Sequence, residues 1–100
     1  MYYTYILYSK SLNIFHKGSA NNIKSRLKRH NNGYESFTAN GLPWLLLWFT
    51  TKTSKSEAYQ LELKLKNLSQ KRIIQFILKY KEGIVNPDNP DIKSILMFKP

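Results

Sequence analysis

At 100 residues the chain suits a single domain, large enough to bury about two-thirds of its unfolded surface around one core. Sixteen Lys and Arg against six acidic residues give a net charge of +10 and a pI near 9.9, which favours a polyanionic partner, nucleic acid first. No apolar run approaches the roughly 20 residues of a spanning helix, and the lack of cysteine excludes disulfides and thiolate metal sites. Met1 leads straight into an aromatic run rather than a secretory leader, so a soluble, cytoplasmic chain with no membrane contact is expected.

Residues 2–8, YYTYILY, are rich in aromatic and β-branched side chains, stop at the polar SKS of residues 9–11 and resume as NIFHKG. This predicts a hairpin of two strands. From Asn21 to Asn32 the apolar Ile23 and Leu27 stand four apart among polar residues, and the run closes on Asn31, Asn32 and Gly33, a helix with a clear stop. Gly41 and Pro43 punctuate the next loop. WLLLWFTT then reads as a third strand whose lack of alternation predicts burial on both faces. The run Trp44 to Trp48 can be wholly core, which leaves the oligomeric state open.

Ser54 and Glu57 form a capping box, and Ala58, Leu61, Leu65 and Leu68 make one apolar stripe on the helix that follows. Ser69 is placed to cap a third helix, KRIIQFILKY, ending near Gly83. Beyond it NPDNPD is turn-forming, and SILMFKP fits either a short edge strand or a loose end. The expected fold is α+β: a three-stranded, mostly antiparallel sheet flanked by three helices in the order β-β-α-β-α-α. Residues 1–82 form the domain and residues 83–100 a C-terminal tail.

The stretch from Phe15 to Gly33 gathers both histidines and a run of Lys and Arg. Strand alternation puts Ile14, His16 and Gly18 on one face, Phe15 and Lys17 on the other. On the helix, Arg26 and His30 are stacked four apart at the border of the apolar stripe. Packed on the hairpin, the two imidazoles and the guanidinium would converge on one anionic group such as a phosphate. Ordinary readings compete at each position: a solvated helix face for Arg26, Lys28 and Arg29, a satisfied strand histidine for His16, core aromatics for Tyr3 and Tyr5. Glu62 lies four residues before Lys66, the spacing of a surface ion pair.

Taken in order, these pieces resemble the small stand-alone proteins of the GIY-YIG nuclease family. The first name-giving tripeptide matches Tyr3 to Tyr5 and keeps the tyrosine as Tyr5; the second matches His16 to Gly18 and keeps the glycine. The pattern G-x4-L-x2-R-x3-H matches Gly18, Ile23, Arg26 and His30, with Ile for Leu, and SEAYQLELKLKNL at 56–68 resembles the family's second-helix signature. The resemblance spans residues 1 to about 80.

It implies hydrolysis of a DNA phosphodiester by an endonuclease with one Mg2+ or Mn2+ ion held by Glu62. Arg26 would bind the phosphate, Tyr5 and His30 would be supporting donors, and a base on the second strand would activate water. Gly18, Lys24, Lys28, Arg29, Lys64 and Lys66 would meet nucleic acid, the cations through contacts that are salt-sensitive and blind to sequence. Tyr3 replaces the family's first glycine. The tyrosine of the second tripeptide is His16, a change at the chemistry itself. An imidazole is a competent base near neutral pH; it is also shorter than a phenol, and a misplacement of about 1 Å can cost on the order of a hundredfold. The alternative to a nuclease is therefore a catalytically silent nucleic-acid-binding module on the same scaffold. A basic protein-interaction domain ranks third.

Overall fold

A computed structural model describes residues 1–33 and 40–97. Its order is β1 (Tyr2–Ser9), β2 (Ile14–Ala20), α1 (Ile23–Asn31), β3 (Trp44–Lys52), α2 (Lys55–Lys66), α3 (Gln70–Lys79), a 3-10 turn (Lys81–Gly83) and α4 (Pro90–Leu96). The three strands form one antiparallel sheet in the order β2-β1-β3. β2 is therefore an edge strand, and the fold is α+β as expected.

The sheet separates two apolar clusters. Tyr5, Leu7 and Trp44 pack on the side of Ile23 and Leu27 of α1; Ile6, Leu47, Trp48, Leu65, Ile73, Ile77 and Ile92 fill the other side, under α2, α3 and α4. The missing alternation of β3 has a local cause as well as burial on both faces. The β1–β3 register shifts between Ile6 and Leu7, so Leu47 is the extra residue of a bulge and enters the same cluster as Trp48.

Local chemistry sets the helix ends. Asn22 caps α1 by accepting from the Ser25 amide, and Gly33, at φ +73°, follows its C-terminal cap. Ser54 accepts from the Glu57 amide to cap α2, while the Glu57 carboxylate accepts from the hydroxyls of Thr53 at 2.6 Å and Ser54 at 3.1 Å. Those bonds, Thr53 first, hold the Glu57 carboxyl below its usual value. Ser69 caps α3.

The tail corrects the sequence reading. Residues expected as an edge strand or a loose end fold into α4; Phe98 to Pro100 lie outside the described residues. The Asn-Pro-Asp tripeptide occurs twice. At 86–88 it makes a turn with Asn86 at φ +51°, whereas at 89–91 Asn89 accepts from the amides of Asp91 and Ile92 and Pro90 opens the helix. Ile92 is fully buried in the larger cluster. Ile92→Ala is expected to lower stability by about 2–4 kcal/mol in urea unfolding; a change below about 0.5 kcal/mol, typical of surface sites, would mean that α4 does not belong to the core.

Candidate functional site

β2 lines the site along the sheet's edge, and its two faces carry different chemistry. On the α1 side, Gly18 sits opposite Tyr5 in register. A Cβ at Gly18 would overlap the Tyr5 hydroxyl and its Cζ, so the absent side chain is what lets the phenol lie across β2. The Tyr5 hydroxyl is 3.3 Å from His30 Nε2, either group donating according to the imidazole tautomer. Both residues are buried, at 2% and 1% exposure. His16 is half-buried, its ring centroid 4.8 Å from that of His30, 5.9 Å from Trp44 and 6.4 Å from Tyr5. His16 is thus the imidazole that borders the surface, backed by a closed aromatic wall.

On the opposite face of the same hairpin, Thr4 and Ser19 are register partners. Thr4 Oγ1 donates to the Ala58 carbonyl at 2.8 Å, and one helical turn later Ser19 Oγ donates to Glu62 Oε1 at 2.6 Å. The second carboxylate oxygen, Oε2, accepts from Lys66 Nζ at 2.7 Å, the i to i+4 pair that the spacing allows. Glu62 is only 8% exposed; both its oxygens are engaged, which a buried carboxylate requires. Lys17 shares this face of β2 with Ser19. Burial first, then the neighbouring charge of Lys66, lower its ammonium's pKa.

Arg26, half-buried, opens on a cleft of about 300 Å³ lined by Tyr2, Ser19, Ala20, Asn21, Lys55 and Ala58. Ser19 is therefore both the donor to Glu62 and a wall of the arginine's cleft. Lys24, Lys28 and Arg29 are exposed on α1. Lys64 lies on the far flank of α2, in a separate groove with Trp48 and Arg72. Among the described residues no group of three or more His, Cys, Asp or Glu is placed to hold a metal ion.

Three participants escaped the sequence reading. Ser19 directly follows the tripeptide glycine and faces away from it, a signal that was available. Thr4, between two tyrosines, reads as a strand former, and Trp44, beside His16, as plain core; neither carries a local mark of its contact.

The three-stranded antiparallel sheet and its flanking helices are consistent with a nuclease-type catalytic domain. A family model described as the GIY-YIG catalytic domain matches residues 1–75 of the 100, and the chain belongs to that family. The match covers the whole sheet, α1 and α2. No individual curated protein matches the chain.

Because Tyr5 is buried against Gly18, Gly18→Ala is expected to destabilise the fold by about 1–3 kcal/mol, measured by urea unfolding. Tyr5→Phe should cost less in that background than in the wild type, since it removes one of the two overlapping atoms; equal costs in both would show that the hydroxyl does not meet the new methyl.

Proposed function

We propose that this protein is a divalent-metal-dependent DNA endonuclease in which His16 stands where the family has tyrosine. The observation that carries the reading is Ser19, which joins the anchored Glu62 carboxylate to the cleft shared by Arg26 and Lys55. A phosphate entering that cleft meets two cations beside a single fixed acid.

Glu62 suits one hydrated divalent ion. A hard cation takes oxygen ligands and keeps several waters, so one carboxylate can hold it with substrate oxygens completing the shell; Lys66 would release Oε2 to make room. The ion would supply charge neutralisation at the scissile phosphate and the leaving oxygen. Arg26 holds the phosphate, and the guanidinium favours the developing negative charge. His16 accepts the proton of the attacking water. Tyr5, His30 and Trp44 confine the His16 ring, and their burial makes them positioning groups. Lys24, Lys28 and Arg29 extend the contact to flanking phosphates without reading sequence; Gly18, expected at the nucleic acid, is instead buried beneath the Tyr5 phenol and makes room for that ring.

β2's place at the edge is what allows His16 and Glu62 to act together although they belong to opposite faces. A substrate wrapped around that edge would reach both. The rival reading keeps the scaffold and its affinity but loses the chemistry at His16.

The test is cleavage of supercoiled, linear and branched DNA in Mg2+ or Mn2+, with the wild type beside Glu62→Ala and His16→Tyr. Cleavage by the wild type, reduced about a hundredfold or more by Glu62→Ala, is expected. A wild type that binds but does not cut, with activity gained on restoring tyrosine, would instead establish a silenced nuclease scaffold.

A further inference from the structure

A second basic surface lies on the other flank of α2 from Glu62. It is a groove of about 670 Å³ between β3, α2 and α3. Its floor is an aromatic ladder rising out of the core. Trp48, buried at 2% exposure, meets Phe76 edge to face at a centroid distance of 5.0 Å, and Phe76 meets Tyr80 at 4.9 Å. The Trp48 indole N–H also donates to the Tyr80 carbonyl at 2.8 Å. Tyr80, 41% exposed and lining the groove, is thus anchored through its carbonyl and by Phe76 beside its ring.

Lys52, Lys64, Arg72 and Lys79 line the same groove, with one carboxylate, Glu82. The Lys79 ammonium rests 5.5 Å from the Tyr80 ring centroid, a weak contact at an exposed site that a phosphate can replace. A positively charged groove that follows a backbone, with a pre-ordered aromatic on which a base can stack, is the arrangement that holds single-stranded nucleic acid. Duplex does not fit this chemistry as well, because its bases are already stacked on one another. An apolar peptide would leave four cations without partners.

We infer that this groove binds a single-stranded segment of nucleic acid, with a base on Tyr80 and phosphates on Lys64, Arg72 and Lys79. The inference is independent of cleavage: the groove uses none of Tyr5, His16, Arg26, His30 or Glu62.

Fluorescence anisotropy of a labelled oligothymidylate, in EDTA so that no cutting intervenes, tests it. Tyr80→Ala is expected to weaken binding about tenfold, and Tyr80→Phe to retain it. Because Tyr80→Ala could disturb the ladder, the exposed pair Arg72→Gln/Lys79→Gln gives a second reading. It should weaken binding severalfold and lower the salt slope by roughly 1.4, the value for two single-strand phosphate contacts. A matched loss of two charges elsewhere, Lys10→Gln/Lys93→Gln, should leave affinity within about twofold. Wild-type affinity in both groove variants would overturn the inference and leave the groove to another occupant, such as an acidic peptide. So would an equal loss in the matched variant, or an equal loss by Tyr80→Ala on duplex.

Discussion

Two hydroxyls facing each other across the first hairpin fix where α2 lies. Thr4 is fully buried, and its Oγ1 has the Ala58 carbonyl as partner; left unmet, that hydroxyl would cost about 1–3 kcal/mol. Ser19 repeats the contact on the next strand, reaching Glu62. The dimensions agree: neighbouring strands are about 4.8 Å apart and successive turns of a helix about 5.4 Å, so a helix lying across the strands offers Ala58 and Glu62 to adjacent hydroxyls. Ala58 is small enough for the close approach. Shift the helix by a residue and both bonds are lost.

From that placement the electrostatics follow. Glu62 is anchored by strand hydroxyl and helix ammonium together, and the charge of Lys66 is also felt by Lys17 on β2. His16 and Ser19, the donor to Glu62, stand on opposite faces of the edge strand β2. The same helix divides its remaining surface. Ala58 and Leu65 face the sheet, Glu62 and Lys66 turn toward β2, and Leu61, Lys64 and Leu68 turn toward the aromatic groove beyond β3. A strand of nucleic acid and a scissile phosphate would thus meet opposite flanks of one rigid element.

Much of this was legible from local chemistry. The hairpin, the stop of α1, the caps of α2 and α3 and the shared face of His16 and Gly18 follow from local spacing, while the ordered series from Tyr5 to Glu62 is legible only through the family resemblance. What escaped depends on distance or on competition. The bonds of Thr4 and Ser19 join residues 54 and 43 positions apart, and a hydroxyl in a strand gives no hint of which carbonyl or carboxylate it will meet. The two histidines are in ring contact, and Arg26 lines a cleft with Ser19; neither contact is marked in the sequence. In the tail, Asn-Pro-Asp favours a turn and a helix start alike, and only the burial of Ile92 decides between them. The aromatic groove draws on three elements, so no single stretch announces it.

In the proposed reaction Glu62 would seat one divalent ion, its carboxylate anchored by Ser19 and its second oxygen covered by Lys66. Titration of Mn2+ against the protein, with the free ion read by electron paramagnetic resonance and no nucleic acid present, addresses this directly. One site is predicted in the wild type, lost in Glu62→Gln and strengthened in Lys66→Ala, where Oε2 is released. Mn2+ binding that is indifferent to Glu62→Gln would contradict it.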